Sequence, residues 1–119
     1  MYQSEELKYR SKKFALRIIK LVQSLPKSKI GDVLGHQLLR SATSVGANYR
    51  AACRARSQAD FISKITIVEE EADESCYWLE LICEAELIEK EKLKEIMKEA
   101  DELTAIFTAS GKTAKENRK

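Results

Sequence analysis

The residues with the most chemical capacity are an acidic run, one histidine, three cysteines and a recurring set of arginines. The run EEEADE spans Glu69 to Glu74. On a helix, Glu70 and Glu74 stand one turn apart, as do Glu69 and Asp73. Carboxylates placed this way inside a bundle could hold two metal ions, but that chemistry uses a Glu-x-x-His pair on each of two helices. The one histidine, His36, has no glutamate three residues before it. The run is therefore expected to be a solvated or ion-paired face, with no metal and no cofactor. His36 is the one candidate for ordinary general acid–base work, and beside a helix start it reads as a surface or capping residue. No Gly-x-Ser-x-Gly, Walker or Gly-x-Gly-x-x-Gly pattern is present, so no catalytic set is expected. Cys53, Cys76 and Cys83 are odd in number and none forms a CxxC motif. They read as reduced thiols of a cytoplasmic protein.

The stretch QLLRSATSVGANYRAACRARS, Gln37 to Ser57, is unusual in a different way. At steps of three and four, Arg40, Thr43, Ala47, Arg50 and Arg54 share one helix face. Gln37, Ser41, Ser44 and Asn48 share a neighbouring one. The small residues would let another helix approach closely, and buried hydroxyls and amides there would need partners. Three roles fit this polar seam: packing inside one bundle, contact with another subunit, or contact with a ligand. The arginines have two. Their planar forks suit carboxylate or phosphate, so Arg40, Arg50, Arg54 and Arg56 either pair internally or meet a polyanion. Lys8, Lys12, Lys13 and Arg17 are alternative phosphate contacts on the first helix.

Charge is unevenly distributed. The net charge is +2. Residues 1–60 carry twelve Lys/Arg against four Asp/Glu, whereas residues 61–119 carry nine against fifteen. Either the halves neutralise each other on folding, or some positive charge stays free for a polyanion. Tyr77 and Trp78 are expected in packing. A base-stacking platform finds no support in the pattern, because aromatics are only 7% of the chain and are not read as interleaved with basic residues.

These side chains must be positioned by helices. Proline and glycine are sparse, and nothing alternates with period two for long. Periodicity predicts helices at about residues 4–25, 29–56, 58–86 and 91–110. The apolar stripes are Leu7, Phe14, Ile18, Leu21 and Leu25; Leu34, Leu38, Val45 and Ala52; Phe61, Ile65, Val68, Ala72, Cys76, Leu79 and Cys83; and Leu93, Ile96, Met97, Ala100, Leu103 and Phe107. Pro26 breaks the first helix, with Ser28 or Asp32 as a cap for the second. Ser57 to Asp60, SQAD, is a capping-box pattern. Gly111 is the expected final stop, leaving residues 112–119 as a flexible tail. Residues 1–111 thus read as one all-α domain, an antiparallel up-down-up-down four-helix bundle. No apolar run reaches the roughly 20 residues of a membrane span, and the charged N-terminus has no apolar signal core.

Taken together, LVQSLPK, HQLLRSATSVGANYRAA, RSQADFISK and EADESCYWLEL resemble the four-helix-bundle proteins encoded in intervening sequences of 23S rRNA genes. The family's Gln-x-x-Arg-x-Ala-x-Ser-x-x-x-Asn pattern is matched by Gln37, Arg40, Ala42, Ser44 and Asn48. The similarity covers about Phe14 to Leu103. NYRAACRARS replaces the acidic-glycine helix end of many members and marks another branch. The resemblance implies a homo-oligomer, often a pentameric ring, without enzymatic activity. It also implies a link to RNA or DNA, since a related accessory protein of diversity-generating retroelements partners a nucleic-acid enzyme, a reverse transcriptase.

Overall fold

A computed structural model describes residues 2–118. The chain forms α1 (Tyr2–Gln23), α2 (Lys29–Ala52), α3 (Gln58–Glu84) and α4 (Lys90–Glu116), with no strand among the described residues. Each helix packs against its neighbours in chain order, and α1 returns to α4 along a shorter seam. The result is the antiparallel four-helix bundle, 49 × 23 × 20 Å.

The core follows the periodic stripes closely. Phe14, Ile18, Leu38, Val45, Ile65, Val68, Leu79, Leu93, Leu103 and Phe107 are fully buried. Polar residues join them at two levels. Ser11 is buried and donates to the Lys8 carbonyl, while Ser41 and Ser75 meet across α2 and α3 at 2.9 Å. Their hydroxyls also lie 3.2 Å from the Leu38 carbonyl and 2.9 Å from the Glu71 carbonyl, respectively. Two hydroxyl protons thus serve three contacts. No buried side-chain nitrogen or oxygen among the described residues lacks a partner.

The helix starts obey local chemistry. Ser28 caps α2, accepting from Gly31 N–H at 3.0 Å. Ser57 caps α3, accepting from Asp60 N–H at 3.0 Å. The Asp60 carboxylate reaches back to Arg56 N–H and also takes Lys64 at 2.6 Å, and these contacts, Lys64 first, lower its pKa below the usual range.

Two boundaries differ from expectation. α2 ends at Ala52, not Arg56, because Arg54 and Ala55 N–H turn back to the Ala51 and Ala52 carbonyls three residues before them. Arg54 and Arg56 therefore lie in the link, not on the α2 face. Gly111 does not stop α4. It is buried against Ile65 and Glu69 of α3, and α4 continues to Glu116. Gln58 Nε2 donates to the Ala114 carbonyl, so most of the segment expected as a free tail is helical and docked.

The α3–α4 link ends α3 with a left-handed residue, which is usually glycine. Here it is Glu86, at φ 59°. Leu87 N–H donates to the Ile82 carbonyl and Glu86 N–H to the Cys83 carbonyl, each at 3.0 Å. A left-handed residue with a Cβ carries a steric cost of about 1–2 kcal/mol, partly offset by glycine's greater entropy when unfolded. Glu86→Gly is expected to stabilise by about 0.5–1 kcal/mol, read as a raised urea midpoint. An unchanged or lowered midpoint would contradict this account of the turn.

Candidate nucleic-acid interface

The proposed phosphate contacts separate into two groups. Arg40 is committed to carboxylates: its guanidinium holds Glu71 at 3.0 Å and also pairs with Glu74. Trp78 donates its indole N–H to Glu74 at 2.9 Å. The Glu74 carboxyl is lowered, first by the indole and then by Arg40, while the Arg40 pKa is raised by Glu71 and Glu74. The acidic run is thus partly a clasp between α2 and α3. Arg10 makes a second clasp, between α1 and α4. It bonds both Glu99 oxygens, at 2.7 and 3.2 Å, and reaches Glu102 at 3.1 Å.

Arg50, Arg54 and Arg56 are exposed, and their side chains have no ion pair among the described residues. Arg50 stands beside the lysines of the first helix. Lys8 and Lys12 of α1 and Arg50 of α2 line one groove of about 540 Å³. Ala15, Thr43, Gly46 and Ala47 also line it, with Glu5 and Tyr9. Small residues make this groove. A Cβ at Gly46 would stand 3.4 Å from Ser11 Oγ and 3.5 Å from the Ser11 backbone, in ordinary contact with α1. Of the two sets of cations offered as alternatives, Lys8 and Lys12 of one and Arg50 of the other meet in this groove. Glu5 lies 2.9 Å from Lys8, which lowers the Glu5 pKa, so it remains ionised near neutrality. Lys12 has no such pair among the described residues. Lys13 lies over Tyr9, its Nζ 5.9 Å from the ring centroid, and Arg17 faces a different groove, between α1 and α4, with Lys20 and Lys92.

The polar seam divides between one contact to α3 and bonds within α2. Ser41 is buried against Ser75, and Asn48 Nδ2 donates to the Ser44 carbonyl at 2.9 Å and the Ser44 hydroxyl at 2.8 Å. Gln37, Ser44 and Asn48 are half-buried. Tyr9 was missed by periodic reading. Its signal is LKYRSKK, where an aromatic does stand among basic residues.

No group of three or more His, Cys, Asp or Glu among the described residues is placed to hold a metal ion. His36 is exposed on α2. The Cys76 thiol is pushed up to about 11 by burial and so is protonated at neutral pH. Tyr49 is likewise raised, chiefly by burial. No helix among the described residues is long and apolar enough to cross a membrane.

The family model described as 23S rRNA-intervening sequence protein matches residues 4–109. The chain belongs to the 23S rRNA-intervening sequence protein family. A crystal structure of a protein of unknown function from the S23 ribosomal protein family, from Bacteroides thetaiotaomicron, is 38% identical and superposes with a TM-score of 0.84. The match covers 92% of this chain and 97% of that one. No curated protein matches this member of the 23S rRNA-intervening sequence protein family.

Proposed function

We propose that the protein is a cytoplasmic, non-enzymatic accessory protein that holds RNA or DNA by its phosphates, working as a homo-oligomer. The observation that carries this reading is the meeting of Lys8, Lys12 and Arg50 in one groove whose lining includes a single acid, Glu5. Acids of α3 and α4 account for Arg40 and Arg10, not for these cations. The family description supports beginning with structured RNA. Exposed Leu16 and Ile19 on α1, with Ile30 and Val33 on α2, support self-association. A ring would repeat each groove by symmetry and concentrate its charge, with a nucleic-acid enzyme as a further partner suggested by the resemblance. Light scattering at tens of micromolar tests assembly, and a monomer there would rule out this part of the proposal.

The decisive experiment is anisotropy with labelled RNA and DNA across salt concentrations. Phosphate contact gives affinity that falls steeply with salt. The variants should divide cleanly. Arg50→Glu with Arg54→Glu should weaken binding by on the order of tenfold or more and flatten the salt dependence, with the melting temperature held. Arg40→Glu should do the reverse, lowering the melting temperature by setting three carboxylates together. Absence of binding at low salt would favour a protein-interaction scaffold, a second reading supported by the exposed aliphatic residues.

A further inference from the structure

From the α1–α2 groove we infer that its ligand is a single-stranded polynucleotide, with Tyr9 stacking on an unpaired base while Lys8, Lys12 and Arg50 meet the phosphates. This rests on the phosphate-contact reading above and adds the strandedness of the ligand. Tyr9 is 64% exposed, the highest exposure among the described large apolar and aromatic side chains left at the surface. It lines the groove with these three cations, and Lys13 lies over its ring. A flat aromatic among cations is the arrangement that binds single strands with little sequence preference, because every base offers a π-face. In a duplex the faces of the bases are covered by their neighbours, so one surface tyrosine gains nothing there. The groove lies within the roughly 300–1,000 Å³ of clefts that hold small ligands, and small residues, Ala15, Thr43, Gly46 and Ala47, make up much of its lining.

Among the described residues, Tyr77, Trp78 and Tyr49 do not fit this role. Tyr77 and Trp78 pack on each other at 5.1 Å, and Trp78 bonds Glu74, where a phosphate would be repelled. Tyr49 is buried against Phe107. Glu5 is the counterweight in the groove. It occupies Lys8, so a phosphate must compete with its carboxylate.

The experiment compares oligo(U) RNA, oligo(dT) DNA and a blunt duplex of equal length by anisotropy at several salt concentrations. The single strands should bind more tightly than the duplex, with the two single-stranded arms showing which sugar is preferred. Tyr9→Ala should weaken single-strand binding about tenfold without changing the salt slope, and Tyr9→Phe should restore it. Lys12→Gln should instead flatten the slope by about one. Glu5→Gln should tighten binding. Duplex bound as tightly as single strands, or Tyr9→Ala binding like the parent, would overturn the inference while leaving phosphate contact intact. A changed oligomeric state in Tyr9→Ala would also overturn it, assigning the ring to a subunit contact. No binding of any nucleic acid at low salt would defeat the phosphate reading itself.

Discussion

Phe107→Ala should cost about 3–5 kcal/mol, the range for removing a buried aromatic ring, and should be read as a loss of urea midpoint with the slope preserved. Phe107 is fully buried, and its ring centroid lies 5.1 Å from that of Tyr49, at a tilt of 44°. The ring joins the end of α2 to the C-terminal half of α4. Little nearby is free to fill the space, since Leu103, Leu7 and Ile65 already belong to the same packed core. A cost below about 1 kcal/mol would mean that this end collapses readily, contrary to the docking of α4 through Glu116. The same substitution tests whether the last turns of α4 are held by packing. Amides from Gly111 onward should lose protection with it.

Gly31→Leu should also be severe, at about 3 kcal/mol, the upper end for forcing volume into a packed site. A Cβ on residue 31 would stand 2.4 Å from the Pro26 carbonyl oxygen and 3.1 Å from Ser28 Oγ. The first atom is backbone, fixed by the turn that reverses the chain. The second is the helix cap itself, which accepts from Gly31 N–H. Relief of the clash therefore costs the cap. Gly111→Ala gives the contrasting control. Its Cβ would meet Glu69 Oε1 at 3.4 Å and Ile65 Cγ2 at 3.7 Å. Helix propensity favours alanine by about 1 kcal/mol, so that variant should be neutral or stabilising. Equal melting temperatures for Gly31→Leu and the parent would refute the assigned role of the Pro26 turn.

The fold was largely legible because its determinants are local and periodic. Every residue of the predicted α4 stripe except Met97 is buried, and both serine caps stand where the sequence places them. On α3 the face was rotated slightly: Ile62, Ser75 and Ile82 are buried, whereas Phe61, Cys76 and Cys83 lie at its margin. Sequence spacing alone does not weigh a small hydroxyl with a partner above a larger residue at the edge. The Ser41–Ser75 contact depends on the register between two helices, which neither stripe specifies. Gly111 shows the same limit. Glycine can end a helix or let another helix come close, and only the position of α3 decides between them.

The candidate site was legible by residue type but not by grouping. Arg40 and Arg50 carry the same fork ten positions apart on α2. One faces Glu71 and Glu74, while the other faces the lysines of α1. That division is set by which neighbouring helix each reaches, not by the spacing of arginines. Tyr9 was overlooked because composition averages over the chain, whereas its surroundings are local.

The short α1–α4 seam has a consequence for how the cylinder comes apart. The α2–α3 seam has its own clasp, Arg40 on Glu71 and Glu74, but lies over a long apolar contact, whereas the short α1–α4 seam relies more on Arg10 bridging Glu99 and Glu102. It is a latch on a rolled sheet of helices. Ionic strength weakens such a latch more than it weakens buried apolar contact. In concentrated salt, native-state hydrogen exchange should therefore quicken first along the α1 flank that faces α4, with the α2–α3 interior the last to open.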